Sequence, residues 1–224
     1  MILKRGFDIA TSFAGLVLLG PLFLVIAIII KFTSKGAVFY RQTRVGQYGR
    51  EFRIHKFRTM IVDADKLGPR ITIGSDCRIT KVGRFLRQFK IDELPQLIDV
   101  LIGDMSIVGP RPEVPEYVKL YQPCLAKIVL SVKPGITDLA SIHFKDENLV
   151  LATSNNPQHE YIQKILPLKL EMSAAYVNSQ SLVLDIKIIL KTILAVFHPR
   201  CFQRKQAVFY GRKMMSDRDT GGDG

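Results

Sequence analysis

From Ile9 to Ile30 the chain runs for 22 residues without a charge. Coiled into a helix, such a run is about 33 Å long, enough to cross a hydrocarbon core of roughly 30 Å. In lipid a helix is the local structure that satisfies every backbone N–H and C=O within the segment itself, so the run commits this end of the chain to helix. A cleaved leader fits poorly. The run is long for a leader core, no A-x-A site follows, and the next residues are Lys31, Phe32, Thr33, Ser34 and Lys35.

Gly20-Pro21 sits at the middle of the run. Pro21 cannot donate to the Val17 carbonyl, and its ring crowds that carbonyl. Alone this implies a kink, since membrane helices tolerate proline. The flanks add to it: Lys4 and Arg5 precede the run, and Lys31, Lys35, Arg41 and Arg44 follow it. The positive-inside tendency places both ends on the cytoplasmic side, which a single span cannot do. Each half, about 11 residues or roughly 17 Å of helix, reaches partway into a bilayer. Residue by residue, a single span and a re-entrant hairpin remain side by side.

Lys plus Arg is 32 against 20 Asp plus Glu, a formal net charge of +12, and 47 % of the residues are hydrophobic. That excludes a wholly disordered chain and points to an anionic partner: nucleic acid, a phosphorylated ligand or a membrane surface. Cys77, Cys124 and Cys201 are scattered, with no CxxC pair, which fits reduced thiols. His55, His143, His159 and His198 show no HxxxH spacing, so a zinc site is not indicated.

Residues 36–60 read as a strand pair, with Ala37–Tyr40 and Phe52–Ile54 flanking a Gly46–Gly49 turn. Gly68-Pro69 and Gly74–Asp76 mark loops. Lys81–Ile91 has an apolar stripe of Val82, Phe85, Leu86 and Phe89 against Lys81, Arg84, Arg87 and Lys90, which predicts an amphipathic helix. A second helix over Gln96–Ile102 would take Asp92 as N-cap and Pro95 in its first turn, with Gly103 as its stop. Gly103–Pro115 reads as rigid loop, Glu116–Val132 as helix, Lys133–Thr137 as a turn and Gln158–Asn178 as helix. Residues 181–197 form an apolar helix, read either as core or as an interfacial helix on a bilayer.

The chemistry concentrates between Arg84 and Arg111. The carboxylate pair Asp92-Glu93 follows a basic helix and opens another. One reading makes Asp92 a cap and the basic residues a solvated face. The other is chemical: a carboxylate nucleophile takes a phosphoryl group from a pyrophosphate, and a phosphate, already ionised at neutral pH, attacks second. Such chemistry needs cations to neutralise the leaving group more than it needs a histidine. No GxxxxGK[ST] or strand–GxGxxG–helix unit is present, and the apolar N-terminal run counts against DNA for the basic stretch 50–58.

Lys4-Arg5 with Asp8, the run with its central Pro21, Ile30–Gly36, Arg41–Gly46, Phe52–Met60, Ile79–Arg87, Asp92–Leu97, Gly103–Pro112 and Lys133–Thr137 resemble, in order, the bacterial sugar transferases. These monotopic phosphoglycosyl transferases start glycan assembly on a polyprenyl phosphate. The resemblance implies a mostly helical α+β fold. A re-entrant membrane hairpin broken at Gly20-Pro21 would occupy residues 1–35 and a cytoplasmic catalytic domain with interfacial helices residues 36–200. Residues 201–224 would form a basic tail on the inner-membrane protein. It implies Asp92 as nucleophile in a ping-pong reaction releasing UMP, Glu93 completing the dyad, and Mg²⁺ at Asp92 and Glu93. Lys56, Arg58, Arg87 and Arg111 become the candidates for holding phosphate or nucleotide. The partners it implies are a UDP-sugar, a polyprenyl phosphate and anionic lipids, with no nucleic acid; a homodimer stays open.

The chain departs from the family's pattern at Asp99, where Asn is common, at Asp138, where Gly is common, and over Leu139–Glu147, which replaces a Trp-Gln-Val stretch. These changes bear on which sugar is carried. The competing reading is a membrane-anchored lipid-binding or scaffold protein whose Asp92 is only a cap.

Overall fold

A computed structural model describes residues 2–64, 67, 76–144, 147, 151, 154 and 156–197. Gly68-Pro69, Gly74-Ser75, His198, Cys201 and the tail 201–224 lie outside the described residues. The fold is mostly helical α+β. Helix α1 spans Ile2–Thr33 and is continuous through Gly20 and Pro21. The expected pair of helices separated by a break is therefore one helix, long and apolar enough to cross a membrane. Proline fixes φ near a helical value, so Pro21 loses the bond to the Val17 carbonyl without leaving helical geometry.

Both ends of α1 grip the same globular body. Near its start, Asp8 Oδ1 accepts from the Ile107 N–H at 3.0 Å, and Arg5 donates to the Val100 and Leu101 carbonyls at 2.6 and 3.0 Å. Near its end, Ile26 and Ile30 pack with Phe57 and Leu86. Much of the remaining surface of α1 is bare hydrocarbon, including Phe13, Val17, Leu18, Leu24 and Val25.

The strand pair is present as an antiparallel hairpin, β1 (Phe39–Val45) and β2 (Glu51–Phe57), with Phe39 opposite Phe57 and Val45 opposite Glu51. Helix α2 (Lys81–Gln88) is capped by Thr80, whose side chain accepts from the Gly83 N–H at 2.9 Å. It stops short of Ile91 because Lys90 turns into the left-handed region at φ 56° and starts a separate 3₁₀ turn, Ile91–Glu93. Helix α3 (Gln96–Ile102) ends at Gly103 as expected, but its N-cap position belongs to Pro95 and no side chain caps it. The Asp92 cap is thus corrected: the 3₁₀ turn holds Asp92 ahead of the helix.

Two expected loops contain short strands. β3 (Ser106–Val108) pairs in parallel with β4 (Gly135–Thr137). Three-residue strands between Gly and Pro are too short to print a period of two in the sequence. The expected helix 116–132 is split into α4 (Pro115–Val118) and α5 (Pro123–Val129), because Gln122 is extended before Pro123. Asp138 caps α6 (Leu139–His143), accepting from the Ser141 N–H at 2.6 Å. The helix read over 158–178 is α7 (Pro157–Glu160), a π turn (Tyr161–Ile165) and α8 (Leu166–Asn178) in succession. α9 (Leu182–Phe197) closes the described chain.

One core joins α4, α5 and α8 through Tyr117, Val129, Tyr161, Ile165 and Leu170. A second seats Ile188 of α9 against Val108, Ile142 and Tyr176. α9 buries Asp185 and turns Val183, Ile186, Leu190 and Leu194 outward. The helix thus has a buried face around Ile188 and Ala195 and an outer face that mixes hydrocarbon with exposed Lys187 and Lys191.

Candidate active site

Glu93 lies in a buried cage of positive charge. β2 brings Lys56, whose Nζ donates to Oε1 at 2.8 Å. The loop after β3 brings Arg111, which pairs with both carboxylate oxygens, Nη1 meeting Oε2 at 3.0 Å. Close backbone contact fixes that loop. The Gly135 N–H donates to the Pro110 carbonyl at 2.9 Å, and a Cβ on Gly135 would fall 2.1 Å from the Gly109 nitrogen. Behind it, Arg44 donates to the Pro112 carbonyl at 3.1 Å and Tyr161 donates to Glu113 at 2.7 Å.

Asp92, one residue earlier, is equally buried, yet its Oδ1 has no hydrogen-bond partner. Successive side chains of a 3₁₀ turn point about 120° apart, so the neighbours face different surroundings. Burial raises the Asp92 carboxyl above its ordinary value, and the Glu93 charge adds to this; Lys56, Lys90 and Arg87 oppose it without cancelling it. For Glu93, burial acts in the same upward sense, but Arg111, Lys56 and Lys90 outweigh it and hold the carboxyl well below the usual range.

The structure thus brings Lys56, Arg111, Asp92 and Glu93 together, with Arg87 close enough for its charge to act on Asp92. Arg87 Nε also donates to Thr59 Oγ1 at 2.9 Å. Arg58 is committed elsewhere: its Nη2 donates to the Ser34 carbonyl and Oγ, both at 2.8 Å, so it pins the exit of α1. Gly20 and Pro21 lie within α1, outside this cluster. Among the described residues no group of three or more His, Cys, Asp or Glu side chains is arranged to hold a metal. The carboxylate atom free to take a cation is Asp92 Oδ1, since both Glu93 oxygens face Lys56 or Arg111.

Sequence reasoning missed two supports. Asp99, noted only as a departure, accepts from the His55 N–H at 2.8 Å and bonds its Nδ1 at 2.6 Å, locking β2 beside Lys56 to α3. Lys4 of α1 donates to Asp185 at 2.5 Å and to the Val108 carbonyl at 2.9 Å, and the Tyr176 hydroxyl donates to the same carboxylate at 2.6 Å. Asp99 stood out as an acid in an apolar helix; nothing in sequence spacing links Lys4 to Asp185.

A long apolar helix clasping a small body, with a buried acidic pair of which Glu93 is held by Lys56 and Arg111, suggests a membrane-associated protein with a preorganised charged site. Residues 1–199 match the bacterial sugar transferase family, and the chain belongs to it. It is 39 % identical over 200 residues to the UDP-glucose:undecaprenyl-phosphate glucose-1-phosphate transferase of Klebsiella pneumoniae, covering 88 % of this chain and 40 % of that protein. It is 35 % identical over 198 residues to the UDP-N-acetylgalactosamine-undecaprenyl-phosphate N-acetylgalactosaminephosphotransferase of Aeromonas hydrophila, covering 87 % and 43 %. The exopolysaccharide production protein ExoY of Sinorhizobium fredii is 35 % identical over 210 residues, covering 87 % and 85 %. The chain spans about two fifths of the length of the first two relatives.

Proposed function

We propose that this chain transfers a sugar 1-phosphate from a UDP-sugar to a polyprenyl phosphate, with Asp92 as the nucleophile. The observation that carries this reading is the division of labour in the acidic pair: Glu93 is neutralised by Lys56 and Arg111, and Asp92 keeps an oxygen without a partner. An Asp92 oxygen attacks the sugar-linked phosphorus of the donor. The bond from that phosphorus to the bridging oxygen breaks, and UMP leaves with the electron pair. A phosphate oxygen of the lipid acceptor then attacks the same phosphorus, and the Asp92 carboxylate departs as it entered. No proton need be moved by a histidine. Asp92 Oδ1 is shielded from solvent, and the attacking oxygen is whichever carboxylate oxygen the donor phosphorus meets.

Asp92 Oδ1 fits a Mg²⁺ held jointly with substrate phosphates, the usual way this ion is bound. When bound, the ion would neutralise charge on the departing UMP. Glu93 instead holds Lys56 and Arg111 in place and raises the barrier to a second negative charge on Asp92 until substrate or cation arrives.

Both clasped ends of α1 support a monotopic placement on the cytoplasmic face, with the helix bending into one leaflet around Pro21. The outward hydrocarbon of α1 and α9, with exposed Lys187 and Lys191, suits an anionic lipid surface. The test is UMP release from a panel of UDP-sugars with polyprenyl phosphate and Mg²⁺. Wild type is expected to release UMP, and Asp92→Asn to release none while remaining folded. Activity retained in Asp92→Asn would reject the nucleophile.

A further inference from the structure

We propose that Lys90 is a phosphate ligand of this site, its ammonium taking a non-bridging oxygen of a substrate phosphate. The proposal rests on the transfer reading above. The cations expected to meet phosphate are already engaged: Lys56 and Arg111 by Glu93, Arg87 by Thr59 and Arg58 by Ser34. A diphosphate brought beside Asp92 adds negative charge next to a carboxylate, and an ammonium still free there would share with Mg²⁺ the task of offsetting it. Lys90 is exposed, and among the described residues no carboxylate lies within ion-pair distance of it.

Its placement is fixed by the backbone. The Lys90 N–H donates to the Arg87 carbonyl, and the Lys90 carbonyl accepts from the Glu93 N–H, each at 3.2 Å. The elbow is therefore tied both to α2 and to the turn that carries the acidic pair. Lys90 holds φ 56°, a conformation that glycine adopts without steric cost, so nothing in the backbone calls for a lysine here. Its charge reaches both Asp92 and Glu93. Exposed Lys81 and Arg84 on the preceding α2 add to the positive charge of this part of the surface.

Two sources of phosphate, the donor diphosphate and the acceptor lipid phosphate, are separated by titrating the whole protein in nanodiscs. One arm adds UDP; the other varies polyprenyl phosphate in the disc. Lys90→Met is expected to weaken at least one of these affinities about tenfold or more, the value of a charge-assisted contact. Lys90→Arg should recover most of that loss. Lys90→Gly should raise the melting temperature and still lose affinity, a divergence that a purely structural role does not produce. Loss confined to UDP assigns Lys90 to the donor, and loss confined to the lipid assigns it to the acceptor. Both affinities unchanged in Lys90→Met, or full affinity in Lys90→Gly, would overturn the proposal. Wild type that binds UDP but releases no UMP from any donor sinks the transfer reading instead, leaving the titration to judge Lys90.

Discussion

Replacing Glu93 and replacing Asp92 should move stability in opposite directions. Glu93→Ala removes the anion that Lys56 and Arg111 share. The side chains are 10 %, 16 % and 30 % exposed for Glu93, Lys56 and Arg111, so solvent screens the cluster only modestly. Removing one member of a buried pair costs about 3–5 kcal/mol, and the partial exposure of Arg111 sets the expectation at the lower end, about 3 kcal/mol. For a chain of this size that is a drop in Tm of about 6–12 °C. Asp92→Asn removes a buried charge whose Oδ1 has no partner, so Tm should hold or rise. A capping aspartate would lose about 1 kcal/mol on replacement by alanine and almost nothing on replacement by asparagine, so Asp92→Ala is the variant that reads a cap. Thermal unfolding in detergent, followed by far-UV circular dichroism, measures both. An Asp92→Asn protein destabilised as much as Glu93→Ala, or a Glu93→Ala protein with an unchanged Tm, would refute the division of labour.

The same pair sets a pH dependence in magnesium-free buffer. Glu93 has a depressed folded-state value, so its stabilisation is complete above the unfolded value and is lost as pH falls through the folded one; Asp92 has a raised value, so its cost is present at neutral pH and fades on acidification. The Tm advantage of Asp92→Asn should therefore be largest near neutrality and close as pH falls. Gly83→Ala would put a Cβ 2.0 Å from the Thr59 carbonyl oxygen, and the overpacking should cost about 1–3 kcal/mol or more, read by the same melts. Lys4→Met strands Asp185, 1 % exposed, with Tyr176 as its remaining donor, and should cost about 3 kcal/mol; a smaller loss in Asp185→Leu/Lys4→Met than in Lys4→Met alone would confirm the coupling. With Cys77, Cys124 and Cys201 all replaced, single cysteines at positions 3 and 36 should label only from the cytoplasmic side, whereas labelling from opposite sides would establish a span.

What was legible in the sequence was whatever local chemistry decides. The hairpin followed from β-prone runs around Gly46–Gly49 and α3 from its apolar run and Gly103, and the Asp92-Glu93 pair stood out by its spacing, whereas Lys56 and Arg111 came only from the family resemblance. Long-range geometry was not legible. Arg58 has the same character as Lys56 two residues away, but only the fold turns one to Ser34 and the other to Glu93. The Asp92 cap failed because a left-handed Lys90 has no signature in composition. The continuous α1 shows the converse: Pro21 announces a missing hydrogen bond, but a helical φ lets the chain continue.

The N-terminal helix does more than anchor. Asp8 and Lys4 bond the Ile107 N–H and the Val108 carbonyl of β3, and three residues after Val108 the chain presents Arg111 to Glu93. At the other end, Ser34 holds Arg58 while Ile26 and Ile30 pack on Phe57, in the strand that carries Lys56. Both cations that neutralise Glu93 thus stand on segments attached to α1, one at each end. A straight helix of 32 residues is roughly 48 Å long, so a body fastened near both of its ends lies alongside it. If α1 stood upright across a bilayer, that fastening would draw the polar body, with exposed charges such as Lys81, Arg84 and Lys90, toward the hydrocarbon, which is costly. Under the proposed re-entrant placement, α1 bent into one leaflet would avoid that conflict and leave the acidic pair within reach of both a soluble nucleotide and a lipid phosphate.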